Sequence, residues 1–159
     1  MHTPVLLKEV IEWLDPQPGQ RFIDATISGG GHALEILERI TPEGKLLGIE
    51  LDPEIFRKLE LRITNYELRS QVLLVNDSYV NIAKIAKEHS FEGADGILFD
   101  LGISSWHVDE SGRGFSFQKE ELLDMRFNPQ TGISALEIVN TWTEADLERI
   151  IREYGEERF

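Results

Sequence analysis

Four short apolar runs, each followed by an amphipathic or polar stretch, leave this chain few folds to choose from. The runs lie within residues 21–27, 45–51, 72–75 and 96–101. Between them, Leu34, Ile36, Leu37 and Ile40, then Ile55, Phe56, Leu59 and Ile63, then Ile82, Ile85 and Ala86 fall at helical spacing. The resulting β-α-β-α-β-α-β alternation, with right-handed crossovers, predicts a doubly wound parallel α/β sheet. The fourth run is apolar along both faces until Asp100, as a strand covered by helices on each side requires. Ahead of the first strand, Leu6, Leu7, Val10, Ile11 and Leu14 predict a helix ending near Leu14, with Thr3 as N-cap and Pro4 at the first helical position. Past Gly102 the chain turns polar and glycine-containing as far as Gly132. Short amphipathic helices follow, such as 143–154, where Thr143 caps and Asp146 faces back.

Composition narrows the chemistry. Over 159 residues the formal charge is −13, which argues against binding nucleic acid through a broad basic surface. Any such contact must be local. There are no cysteines, so disulfides, thiolate metal clusters and cysteine nucleophiles are excluded, and carboxylates, four histidines and hydroxyls remain. The N-terminus lacks a basic segment followed by a long apolar run, and no apolar stretch reaches membrane-spanning length. A cytoplasmic protein with no membrane partner is expected.

Three constellations could carry function. Gly29-Gly30-Gly31 follows the first strand, and Glu50 closes the second about twenty residues on, as in nucleotide-cofactor sites. There, glycines let a ligand touch the backbone and a carboxylate accepts from ribose hydroxyls. Ser28-Gly29-Gly30-Gly31-His32 lacks the G-x-G-x-x-G spacing of dinucleotide sites, which argues against NAD. A structural alternative is that the glycines only make a tight turn and Glu50 caps the next helix. Asp100 ends the fourth strand near the switch point, where ligands of open α/β folds bind; its alternative is to cap the following turn. His32 has a similar alternative, binding backbone at a helix end. His107 and Asp109 are too few convergent ligands for a metal, and none is assigned. The third constellation, Arg113-Gly114-Phe115-Ser116-Phe117 with Leu123-Asp124-Met125-Arg126, mixes arginine, glycine and aromatics in a way suited to gripping a nucleic-acid strand. Two phenylalanines spaced as Phe115 and Phe117 are more often the buried face of a hairpin.

His2-Thr3-Pro4-Val5-Leu6-Leu7, Asp24-Ala25-Thr26 with Gly29-Gly30-Gly31-His32, Asp100-Leu101-Gly102-Ile103-Ser104-Ser105, Arg113-Gly114-Phe115-Ser116-Phe117, Leu123-Asp124-Met125-Arg126 and Tyr154-Gly155-Glu156-Glu157-Arg158-Phe159 occur in that order across nearly the whole chain. In this combination the sequence resembles the bacterial 16S ribosomal RNA cytosine-N4 methyltransferase family. The resemblance implies a class I methyltransferase (Rossmann-like) fold, S-adenosylmethionine as cofactor, and a cytidine in 16S rRNA of the small ribosomal subunit as substrate. It places the cofactor at Gly30, Gly31, His32, Glu50, Tyr79, Asp100 and His107, with Asp100 as the catalytic candidate. Five positions depart from the family pattern: Glu50 stands for a commoner aspartate, Tyr79 for phenylalanine, His107 for glutamine with Trp106 for proline before it, and Ser28 for glycine.

The resemblance also implies an organisation in which residues 1–105 form the N-terminal part of the S-adenosylmethionine-binding domain. Residues 106–159 are then a linker and the start of an inserted helical domain. Family members continue past Phe159, so a fragment or one piece of a split enzyme is expected, inactive alone, with an unpaired edge at the fourth strand. Self-association or the missing C-terminal segment would cover that edge. The alternative function is a non-catalytic cofactor-binding or assembly module acting with a second polypeptide. Phe115, Phe117 and Trp106 are the candidates to hold an unstacked target base.

Overall fold

The computed structural model describes residues 4–64, 67 and 69–158, which divide into two compact units, Met1–Gly102 and Ile103–Phe159. In the first unit the elements run α1 (Leu7–Leu14), β1 (Arg21–Asp24), α2 (Gly31–Ile40), β2 (Lys45–Glu50), α3 (Pro53–Thr64), β3 (Val72–Asn76), α4 (Ile82–Glu88) and β4 (Gly96–Leu98). The four strands make one parallel sheet in the order β3-β2-β1-β4. That order is one part of the doubly wound Rossmann-like arrangement.

Two apolar clusters cover the two faces. Phe22 and Leu46 look toward α1, α2 and α3, where Ile11, Ile36, Leu37, Ile40, Leu59 and Ile63 meet them. Ile23, Leu47 and Ile49, on the alternate positions, pack against Ile85 and Ala86 of α4 and against Phe91. The core therefore sits in the middle of the sheet. The fourth strand departs from its predicted cover on both faces. Among the described residues β4 is an edge strand that pairs with β1, and Ile97 and Phe99 are exposed.

The N-terminal segment also differs from expectation. The helix begins at Leu7, not at Pro4, and Thr3 lies outside the described residues. Leu6 takes a left-handed conformation with φ 52°, and the residues before it are drawn onto α2 instead of extending α1. Val5 lends its carbonyl to the His32 ring, and Pro4 packs on Gly31. Helix α4 begins at Ile82, and ahead of it Ser78 caps a single 3₁₀ turn at Tyr79–Asn81.

The second unit contains α5 (Ser105–Asp109), α6 (Ala135–Thr141) and α7 (Glu144–Glu153), each opened by a hydroxyl side chain. Ser104, Ser134 and Thr143 accept from the backbone N–H groups of His107, Glu137 and Asp146 respectively. At α7 the Thr143 hydroxyl also donates to the Asp146 carboxylate, as the sequence predicts. No strand spans 113–117, so the predicted hairpin does not form.

Candidate cofactor site at the strand ends

Parallel strands carry all their carboxyl ends to one edge, and there the sheet gathers three carboxylates. Asp24, the last residue of β1, lies in register with Gly48 on one side and Leu98 on the other. Side chains alternate along a strand, so Glu50, two residues past Gly48, shares the face of Asp24. Asp100 arrives from the other flank, two residues past Leu98, with its carboxylate 3.8 Å from Nδ1 of His32 near the start of α2. Asp100 is half exposed and Asp24 is only 2% exposed. Burial pushes the Asp24 carboxyl up to about 7; an N–H from Thr26 opposes this, and the charges of Asp100 and Glu50 add to it.

The loop between β1 and α2 closes over this edge. Glu50 accepts from the backbone N–H of Ser28 at 3.1 Å through one carboxylate oxygen and from that of Asp52 at 2.8 Å through the other. Asp52 in turn caps α3, accepting from Glu54 N–H at 2.8 Å. A carboxylate has about four lone-pair positions, so Glu50 keeps acceptor capacity for a ligand while it ties two loops together. Cap and ligand holder are therefore compatible roles.

The glycines divide the work of the loop. Gly30 has φ 77° and donates to Ile27 O, which makes the turn into α2. At Gly31 an added Cβ would stand 2.3 Å from Pro4 Cγ, so glycine is required for the N-terminal segment to pack there. Gly29 has open space where a side chain would be, and its carbonyl is held at 2.6 Å by the Arg62 guanidinium. Backbone exposed at Gly29, first-turn N–H groups of α2 and flanking carboxylates together fit a ligand with anionic, cationic and hydroxyl groups. An adenosyl amino acid has all three.

Other predicted residues take up definite positions. His32 is buried, with Nε2 2.9 Å from Val5 O; the carbonyl can only accept, so that nitrogen carries a proton. Tyr79 is partly exposed and meets Phe99 edge to face at 5.8 Å. His107 lies in the second unit, buried, with Nδ1 2.8 Å from the Ser104 hydroxyl. Phe115 and Phe127 pack against its ring at 5.1 and 4.5 Å.

The arginines singled out for gripping nucleic acid are engaged within the second unit. Arg113 is buried, lies 5.2 Å from the Trp106 ring centroid, and donates to Phe127 O at 2.7 Å and Arg126 O at 3.3 Å. Arg126 pairs with Asp124 through two nitrogens, at 2.6 and 2.9 Å. Hydrogen bonding from Arg126 holds the Asp124 carboxyl below the usual aspartate range. Of the two paired aromatics, Phe115 is inside this cluster while Phe117 is 97% exposed.

Residues that pattern reading missed are Asp24, Thr26, Arg62 and Asn76. Thr26 accepts from the Asp100 backbone N–H at 2.7 Å and so straps the end of β4 to the end of β1. Asn76 donates to Glu50 O at 2.7 Å and steadies the end of β2. Asp24 and Thr26 stand within a quoted motif, and the carboxylate ending β1 was the available signal. Arg62 offers none, because its partner lies 33 positions away.

Comparison with known proteins points the same way. The model of the MraW methylase family matches residues 1–159. The chain is 44% identical over 158 residues to a ribosomal RNA small subunit methyltransferase H from Dictyoglomus thermophilum, covering 99% of this chain and 52% of that protein. A protein of the same name from Syntrophotalea carbinolica is 42% identical, with 99% and 50% covered. The chain thus spans about half the length of the curated relatives it matches. Among solved structures, the C-terminal domain of precorrin-6Y C5,15-methyltransferase from Rhodobacter capsulatus superposes with a TM-score of 0.47 at 16% identity, over 62% of this chain and 50% of that one.

Proposed function

The chain belongs to the MraW methylase family, and we propose that the protein uses S-adenosylmethionine to methylate the N4 amine of a cytidine in 16S rRNA of the small ribosomal subunit. The observation that carries this reading is the convergence of Glu50, Asp100 and the open Gly29 backbone at the carboxyl edge of a β3-β2-β1-β4 parallel sheet. S-adenosylmethionine supplies an electrophilic methyl group on a sulfonium. Everything else falls to the chain's own residues.

Glu50 accepts from the ribose hydroxyls, its reach one methylene longer than the family's aspartate and its orientation set by Ser28 and Asp52. Gly30, Gly31 and His32 shape the turn that receives the amino-acid end, and Tyr79 offers an aromatic face to adenine. His107 enters as a cofactor contact by resemblance, supported by a ring fixed through Ser104, Phe115 and Phe127. The N4 amine is a poor nucleophile because its lone pair is delocalised into the ring, so positioning matters most. Asp100, exposed on one side and anchored through its backbone to Thr26, is placed to accept from N4–H as the nitrogen attacks. The cytosine has to leave its stack to reach the methyl, and Phe115, Phe117 and Trp106 are the aromatic candidates to hold it.

Because the chain spans half the length of its relatives, we read it as binding cofactor without transferring methyl by itself. The apolar edge at Ile97 and Phe99 supports cover by further chain or by a second copy. With a charge of −13, affinity for RNA has to come from local groups, from that further chain or from the ribosomal assembly. The test uses Asp100→Asn in a protein of family length, assayed on undermethylated small subunits with labelled S-adenosylmethionine. The fold should persist while cytosine-N4 methylation falls; the wild-type rate in this variant would remove Asp100 as the acceptor. Robust methylation by residues 1–159 alone would overturn the inactive-fragment reading.

A further inference from the structure

Helix α3 lies against the glycine turn through two side chains three residues apart, a spacing that puts both on one face of the helix. Leu59, itself buried, packs beneath Gly30, where an added Cβ would stand 2.9 Å from its Cδ1. Arg62 donates from Nη1 to Gly29 O at 2.6 Å, its one hydrogen-bond partner among the described residues. The same peptide unit is held from its other end, because Gly30 N–H donates to Ile27 O at 2.7 Å. In a trans peptide the two groups point opposite ways, so rotation of this unit breaks both bonds together. Just before it stands Ser28 with φ 44°, in the left-handed region. A residue with a Cβ occupies that region at a cost equal to about a tenfold loss in population or more. Ser28 is therefore fastened on both sides: its N–H goes to Glu50 at 3.1 Å, and the carbonyl of the next residue goes to Arg62.

Nothing in the packing of α3 calls for a guanidinium at position 62. The side chain is exposed, and the helix buries Ile55, Leu59 and Ile63. Resting on the cofactor reading above, we propose that Arg62 is a positioning residue: it locks the 28–30 turn in the form that receives the cofactor and offsets the cost of a serine in the left-handed region. Without it the Gly29–Gly30 peptide is free to turn and carry its oxygen to the open side of Gly29, where an added Cβ meets nothing within 4 Å. A ligand that needs the present form then selects it from a mixture, and its apparent affinity falls by the fraction of chains in that form. Glu50 is affected by the same change, since its Ser28 anchor belongs to the turn. Strap and serine are thereby coupled: the strap matters most while residue 28 carries a Cβ.

The experiment is a double-mutant cycle on this chain. Calorimetry reads S-adenosylmethionine affinity, NMR reads amide exchange of Gly30 without ligand, and thermal melting reads stability. Arg62→Met keeps an unbranched stem and removes the donor. It should speed Gly30 exchange and weaken binding, each by about tenfold, with the melting temperature little changed because the side chain is exposed. With Ser28→Gly already in place, Arg62→Met should cost only about twofold in affinity, because glycine keeps the left-handed turn without the strap. An equal loss from Arg62→Met with serine or with glycine at position 28 would overturn the inference, as would unchanged Gly30 exchange in Arg62→Met. A drop in melting temperature large enough to account for the lost affinity would also overturn it, since Arg62 would then serve the fold and not the turn. In each of these cases, binding by the unsubstituted chain leaves the cofactor reading standing. No binding by the unsubstituted chain would sink the cofactor reading, while Gly30 exchange still decides whether Arg62 holds the turn.

Discussion

The two units of this chain solve the problem of burial with different materials. In Met1–Gly102 the fully enclosed side chains are chiefly aliphatic: Ile36, Leu37, Ile40, Leu46, Leu47 and Ile49 lie within helices and strands whose periodicity puts them there. Among the described residues of Ile103–Phe159 the buried ones are His107 and Arg113, and the aromatic rings of Phe115 and Phe127 pack around the histidine. The first unit is held by non-directional burial, and the second by directed hydrogen bonds and ring contacts. Their aspartates differ correspondingly. Asp24 is driven toward the neutral acid by desolvation, whereas Asp124 is held ionised by Arg126. A region built on apolar burial tolerates conservative substitution, whereas one built on a guanidinium depends on that group's geometry.

The largest effect should come from emptying the aliphatic core. Leu47→Ala removes a fully buried side chain between Ile23, Ile49 and Ile85 and should cost about 2–5 kcal/mol. Urea denaturation would measure it, and a loss below about 1 kcal/mol would show that this face repacks freely, breaking the contrast. Next, Arg113→Met should cost about 1.5–3 kcal/mol through its charged hydrogen bonds to the Phe127 and Arg126 carbonyls. Arg113→Lys should rescue little, because an ammonium cannot reproduce the planar fork beside Trp106. If lysine restored wild-type stability, charge alone would suffice and the directed-bond account of this unit would fail.

Glu50→Ala should weaken S-adenosylmethionine binding by at least about tenfold, or ~1.4 kcal/mol, since it removes the proposed ribose acceptor and frees the Ser28 and Asp52 N–H groups. Calorimetry on a folded variant decides this, and unchanged affinity removes Glu50 from the site.

The pH dependence of stability sharpens the comparison further. Asp24 has a folded-state pKa above its ordinary value, so its contribution is fully present below about pH 3.8 and is lost as pH rises toward 7. Asp124 has the opposite sign: its contribution is present above about pH 3.8 and is lost as pH falls through its lowered folded value. Asp24→Asn should therefore flatten the decline in stability between pH 4 and 7, and Asp124→Asn should flatten the acid limb. Identical pH profiles for the two variants would show that the two carboxylates do not differ as described. Smallest of all, Phe117→Ala should change stability by less than about 0.5 kcal/mol, because its ring is exposed. A larger loss by thermal melting would mean that the ring is packed in solution.

Much of the first unit was legible because its signal is local. Helical spacing of Leu34, Leu37 and Ile40 and the apolar run at 45–50 each report a face within a few residues, and the elements formed where those faces lie. The strand-end position of Glu50 and Asp100 followed from strand polarity alone. The second unit was less legible. Arg113 and Arg126 look like nucleic-acid contacts in a list of residues, and only the folded chain shows their guanidiniums turned to Phe127 O and to Asp124.

From its sequence this chain determined which faces must be buried, which strands must be parallel and where two of its carboxylates must emerge. Those outcomes depend on the period of apolar residues and on chain direction, and both are written locally. Tertiary structure decided the rest. It pulled Pro4 onto Gly31 and away from α1, and set Asp24 beside two other acids. Each of these outcomes is a contact between residues distant along the chain. Burial and charge at such a contact depend on what arrives from elsewhere, and no local pattern encodes the arrival.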